Sequence, residues 1–304
     1  MGKWDMDNAL MNQITQMTIV GTGLLGASVG LAAKKAGIVQ HITGVSRNLQ
    51  TAQKAAQIGA IDAAYDKISD ALRGSQLVVV AVPLGGFAYV FDLIKPHQTP
   101  DMVITDVGST KVSVLRDAHV NLADTTRFIG SHPMAGSEKQ GPEAGDPDIF
   151  PGKPCIVTRE PDNDPQAVKL VENFWQAIGM NVLEMSAEEH DLKTAVVSHL
   201  PHAAAALLVQ TAHQLGGWDV ASTGFRDTTR LASSNPPMRV DIMHANKDAL
   251  IKSLTAFQDN ITALISKLEK LDNPGILETL SHAKHAREDW LQQRREEQMS
   301  TDNE

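Results

Sequence analysis

The stretch MTIVGTGLLGASVG, residues 17–30, restricts the fold more than any other part of the chain. Four residues of strand type run straight into Gly21, Gly23 and Gly26, and a helical pattern follows at once. That order is strand, tight turn and helix, in the G-x-G-x-x-G spacing of a dinucleotide-binding βαβ unit. The first glycine permits the turn, the second lets a pyrophosphate approach the backbone, and the third lets helix lie close to strand. The start of the helix then offers unpaired N–H groups and positive dipole to phosphate. A second strand-like run, HITGV at 41–45, falls where such a unit requires it.

Further apolar runs of strand length appear at 77–82 (LVVVAV), 102–107 (MVITDV), 127–130 (RFIG), 153–158 (KPCIVT) and 181–185 (NVLEM). Continuous apolar strands alternating with helical patterns predict a parallel sheet covered on both faces, an α/β Rossmann-type domain over residues 1–186. From Ser186 the texture changes. AEEHDLKTAVVSHLPHAAAALLVQTAHQL and the segments beginning DALIKSL and GILETLS carry apolar residues only at helical spacing. Residues 187–304 are therefore expected to form an all-helical substrate and dimerisation domain, its loops marked by GGWD, SSNPPM and DNPG.

The end of the second strand bears on the choice of dinucleotide. An NAD site places Asp or Glu there for the ribose 2′-hydroxyl, whereas this chain reads GVSRN. Ser46 stands in the place of the acid and Arg47 offers a guanidinium, so NADP is the expected cofactor, with NAD possible. Leu24 and Leu25 in the glycine motif, Val82 and Pro83 where the run 77–82 ends, and Gly108 complete the expected cofactor contacts.

Charge and cysteine count exclude several other classes. A net charge of −9 argues against a nucleic-acid partner. The single cysteine, Cys155, excludes an intrachain disulfide and a cysteine-built metal site, and the histidines show no metal-ligand spacing, so no metal is expected. The longest purely apolar run, 77–84, is too short to span a bilayer, and the first residues lack a secretory signal's apolar region. A cytoplasmic protein with no membrane contact is the expectation.

Three polar segments fall where the cofactor's reactive end should lie: DVGSTK (106–111), GSHPMAGSEK (130–139) and SHLPH (198–202). Pro133 restricts His132 to extended backbone, which places an imidazole at a strand end. Ser109 competes for two roles, a polar contact in the site or the cap of the helix begun by TKVSVLRDA. His199 and His202 share a face if their helix continues through Pro201.

Taken with the glycine motif, these segments and FRDTTRLASSNP (225–236) resemble the prephenate/arogenate dehydrogenase family of tyrosine biosynthesis, from about Met17 to residue 236. The resemblance implies oxidative decarboxylation of a cyclohexadienyl substrate, arogenate or prephenate. Hydride leaves ring C4 for the nicotinamide, and the 4-hydroxyl proton goes to His132. It implies that Ser109 hydrogen-bonds that histidine and the nicotinamide end, and that Arg230 binds the ring carboxylate. Arg226 would reach a neighbouring subunit's pocket, Glu138 would gate or polarise the pocket, and His202 with His199 would line the substrate side. It also implies a homodimer through the helical domain and a stand-alone catalytic unit. The alternative is another NADP-dependent dehydrogenase or reductase of the 3-hydroxyacid or imine-reducing type, which has the same two-domain layout. A non-enzymatic sensor of the NADP(H) ratio would leave His132, Ser109 and Arg230 without a purpose.

Overall fold

The structure, a computed structural model, describes residues 14–136 and 139–302, with side chains as far as 296. The chain forms two compact units, one spanning Asn12–Leu250 and one containing Ile251–Glu304.

The first unit is built on an eight-stranded sheet: β1 (Ile14–Val20), β2 (Val39–Val45), β3 (Ala63–Tyr65), β4 (Leu77–Val80), β5 (Val103–Asp106), β6 (Phe128–Pro133), β7 (Pro154–Thr158) and β8 (Asn181–Met185), in the order β3-β2-β1-β4-β5-β6-β7-β8. The order reverses between β1 and β4, which opens the crevice where such sheets take ligands. Its helices are α1 (Leu24–Ala36), α2 (Leu49–Gln57), α3 (Ile68–Ala71), α4 (Phe87–Ile94), α5 (Val112–Asn121) and α6 (Pro165–Ala177).

The two-residue period of a strand divides this sheet between two cores. In β4, Leu77 and Val79 join Met17, Ile19, Ala27 and Trp175 on one face. Val78 and Val80 join Phe87, Phe91, Ile104 and Phe128 on the other. All four β4 residues are fully buried, so the strand reads as an unbroken apolar run.

The sheet departs from the all-parallel expectation at one place. β6 pairs with β5 in parallel through Phe128 and Ile129, then with β7 antiparallel from Gly130 to Pro133. Among the described residues of segment 134–153 there are two short 3₁₀ turns, Pro142–Ala144 and Pro147–Ile149, and no crossover helix. A chain that re-enters the sheet from the edge it left must run the other way. The apolar run at 127–130 consequently continues as strand through Pro133, while the run at 77–82 ends as strand at Val80.

The rest of the first unit is helical: α7 (Ala187–Thr194), a π turn at Ala195–His199, α8 (Leu200–Leu215), α9 (Thr223–Thr229), a 3₁₀ turn at Arg230–Ser233, and α10 (Pro236–Ala245). The π turn accounts for the passage through Pro201, which donates no amide and whose ring would crowd the carbonyl of Val197 in a regular helix. The second unit takes in α11 (Lys247–Glu269) from Ile251 onward together with α12 (Asn273–Asp302), and the two helices meet at a turn where Leu271 takes φ 54°. Lys267 closes that turn with bonds to the Gly275 carbonyl (3.1 Å) and the Thr279 hydroxyl (2.7 Å).

Candidate active site

At the crevice, β1 runs into Gly21, whose φ of 97° suits glycine. A Cβ on Gly21 would stand 2.4 Å from the Ala81 carbonyl, and one on Gly26 would stand 2.0 Å from the Gly21 carbonyl. Gly23 differs. It precedes α1 in extended conformation, a Cβ there would meet no protein atom within 4 Å, and neither a side-chain cap nor an acid occupies the first turn of the helix. Open space in front of free amides fits a pyrophosphate.

Leu24 and Leu25 begin α1 and are half-buried. The Ser46 hydroxyl, just past β2, meets the Thr22 amide (3.1 Å) and hydroxyl (2.8 Å), so it braces the glycine loop. Arg47 is exposed. Val82 abuts the glycine loop and Pro83 is exposed beside it. Gly108 is buried, with its amide donated to Asp106 (2.7 Å).

The polar end is assembled from four separate elements. His132, near the end of β6, directs Nδ1 at His190 Nε2 over 2.7 Å. His190, on α7, directs its own Nδ1 at the Asp191 carboxylate over 2.7 Å. Asp191 also accepts the amides of Lys111 (2.8 Å) and Val112 (3.1 Å), so it caps α5 from across the fold. These bonds fix the tautomers. A carboxylate only accepts, so the proton of His190 sits on Nδ1 and its neutral Nε2 accepts. His132 Nδ1 must then donate, which leaves a lone pair on His132 Nε2. Burial, helped by His190, Lys111 and His199, holds the His132 pKa well below the usual imidazole value. Its ring is neutral at pH 7 and free to act as a base.

Beneath His132 lies a dry polar foundation. Asp106 and Lys111 pair with both side chains fully buried. The Asp106 carboxylate also takes the Ser131 amide (3.0 Å), and the Lys111 ammonium donates to the Ser131 carbonyl (2.6 Å). Burial pushes Asp106 up and Lys111 down in pKa, against their mutual attraction. The sequence suggested these two groups beside the reacting atoms; they instead hold β6 to the end of β5. Ser109 is half-buried between them in the chain, and it does not cap α5, because Asp191 has taken that place.

His199 and His202 do follow one another into a common helix. His199 is buried, and the Asn246 amide donates to its Nδ1 (3.1 Å). Burial lowers its pKa to about 4. His202 donates from Nδ1 to the Leu231 carbonyl (3.1 Å), with the Ser234 hydroxyl at 3.0 Å, which leaves its Nε2 as an acceptor. The same bonds tie α8 to the turn that carries Arg230. Arg230 is exposed at the end of α9, and Arg226, one turn earlier, pairs with Asp227 (3.0 Å) in solvent. Glu138 lies outside the described residues. Sequence reasoning missed His190, Asp191 and Asn246. A His-Asp pair at 190–191 was visible, but nothing local showed that it faces residue 132.

Comparison with known proteins identifies the family. The family model described as prephenate dehydrogenase, nucleotide-binding domain, matches residues 29–184, and that described as prephenate dehydrogenase, dimerization domain, matches residues 186–282. The chain is 34% identical over 285 residues to the prephenate dehydrogenase of Bacillus subtilis, covering 91% of this chain and 77% of that one. It is 32% identical over 288 residues to the cyclohexadienyl dehydrogenase of Zymomonas mobilis, covering 91% and 96%. Among solved structures, the Aquifex aeolicus prephenate dehydrogenase in complex with hydroxyphenyl propionate and NAD+ superposes with a TM-score of 0.85 at 31% identity, covering 91% and 98%.

Proposed function

Because the chain belongs to the prephenate/arogenate dehydrogenase family, oxidoreductases of tyrosine biosynthesis, we propose that it decarboxylates prephenate, arogenate or both oxidatively, with His132 as the base. A nicotinamide dinucleotide bound at the glycine loop would accept the hydride from ring C4. His132 Nε2 takes the C4 hydroxyl proton as the hydride departs. The bond from ring C1 to its carboxylate then breaks, its electron pair enters the ring, and CO2 leaves. The phenolic oxygen recovers a proton from His132. Aromatisation makes the sequence run forward.

The observation that carries this reading is the His132–His190–Asp191 relay. It presents one basic lone pair in a fixed orientation, as hydride and proton departing together require. Arg230 supplies a guanidinium for the ring carboxylate, and Ser109 a hydroxyl beside the nicotinamide end. The base comes from the sheet domain and Arg230 from the helical domain, with the functional boundary at 186/187. NADP is the proposed cofactor: Ser46 fills the usual place of an acid and Arg47 stands exposed next to it.

A homodimer through the helical domain is part of the proposal. The helical stretch Ala187–Leu215 is long and apolar enough to cross a bilayer by length and composition, yet it carries His190, Asp191, His199 and His202. Its exposed Val197, Leu207 and Leu208 suit a second copy better than lipid. Steady-state rates with prephenate and arogenate, each crossed against NAD and NADP, test the reaction and the cofactor together. Coenzyme reduction with CO2 release is expected, faster with NADP. Its absence in all four combinations would refute the assignment.

A further inference from the structure

Arg239 has no part in the relay or the nucleotide seat. It lies on α10, which packs against the turn Leu84–Gly86 just beyond Val82 and Pro83. Its side chain is half-buried, and its Nε is buried with no hydrogen-bond partner among the described residues. Burial lowers its pKa, and no acid among the described residues opposes that shift. Its electrostatic influence falls on groups of the wrong sign for a partner, since it disfavours protonation of both His199 and His202. A half-buried guanidinium whose Nε meets no acceptor among the described residues is costly, and an arriving anion would relieve part of that cost.

His202 also feels Arg230, so two cations act on one histidine. The substrate of the proposed reaction carries two carboxylates, one on ring C1 and one at the end of the C1 side chain. Both lie at the end of the ring opposite the C4 hydroxyl. Arg230 accounts for the first and leaves the second without a receptor.

We propose that Arg239 is a specificity-determining residue: it receives the side-chain carboxylate and favours the keto acid prephenate over the amino acid arogenate. The inference rests on the substrate reading above. Prephenate brings two negative charges and nothing positive. Arogenate brings an ammonium one carbon from the same carboxylate, where a guanidinium repels it.

The test compares wild type, Arg239→Gln and Arg239→Lys on both substrates at saturating cofactor, with a thermal melt of each variant. Wild type is expected to prefer prephenate. Arg239→Gln should raise KM for prephenate by about 20-fold, change kcat by less than about threefold and leave arogenate little affected, with partial rescue by Arg239→Lys. Equal losses on both substrates, no loss on either, or a wild-type preference for arogenate would overturn the assignment. A wild type inactive on both would remove the reaction itself and this inference with it, whereas an active wild type with an unmoved substrate ratio removes only the inference.

Discussion

The two ends of the crevice are made of different material. The nucleotide end is backbone: glycines that admit a close approach, and amides at the head of α1 that need no side chain at all. The proton-transfer end is a line of side chains, His132 from β6 and His190 and Asp191 from α7, anchored on two backbone amides at the start of α5, and the protonation of each ring is dictated by the group behind it. Phosphate binding needs several weak donors on one concave surface, which a single loop can supply. A base of defined tautomer needs a partner behind it and a partner behind that, and no single loop is long enough to fold back on itself so often.

Substitutions separate the two ends. His132→Asn should lower kcat by about 10²–10⁴-fold while cofactor affinity stays as it was, measured by stopped-flow turnover and by fluorescence titration. Equal damage to both would erase the distinction. His190→Asn should cost less than that, and the loss should fall on kcat rather than KM.

Lys111→Met attacks the foundation. It strands a fully buried carboxylate, so a loss of about 3–5 kcal/mol in urea unfolding is expected, with activity falling only as folded protein is lost. A variant of wild-type stability would show that the pair is dispensable.

Acid should weaken the histidine end first. With the His199 pKa at about 4 when folded and near 6.5 when unfolded, the unfolded chain binds more protons between those values. Stability is therefore complete above about pH 6.5 and declines as pH falls towards 4, by up to about 1.4 kcal/mol per unit for this group. Thermal melts across that range should flatten in His199→Asn.

Gly23→Ala should have the smallest effect and the most selective one. The backbone there already suits alanine and the added methyl meets only open space, so the melting temperature of the free protein should hold. The methyl projects into the anion seat, and the cofactor Kd should rise by about tenfold. A lower melting temperature with unchanged cofactor affinity would contradict the fit.

The nucleotide end was legible in the sequence because its parts are contiguous. Residues 17–26 contain the strand, the turn and the helix start, so spacing alone defines them. Seven of the eight strands were legible as short apolar runs; in β4 burial on both faces removes polar interruptions altogether, whereas β8 is largely exposed and was legible only from Val182, Leu183 and Met185. β3, with three half-buried residues of which two are alanine, gave no such signal. The reversal of β7 was hidden because direction depends on what the chain does over residues 134–153, where proline and glycine specify turns but not their destination. His132 and Pro133 were visible as a pair. The partners of His132 were not, because residue 190 is 58 positions away and is brought near by the packing of α7 on α5 and β7.

The π turn at Ala195–His199 has a consequence for how this chain can change its length. A regular α-helix advances by about 100° per residue, so removing one residue between Thr194 and Leu200 would swing all of α8 about its axis by that angle. His202 would leave the Leu231 carbonyl, and the apolar stripe of Leu207 and Leu208 would turn away with it. Exposed Val196 and Val197 can be substituted without that swing, whereas a deletion anywhere in the turn cannot avoid it.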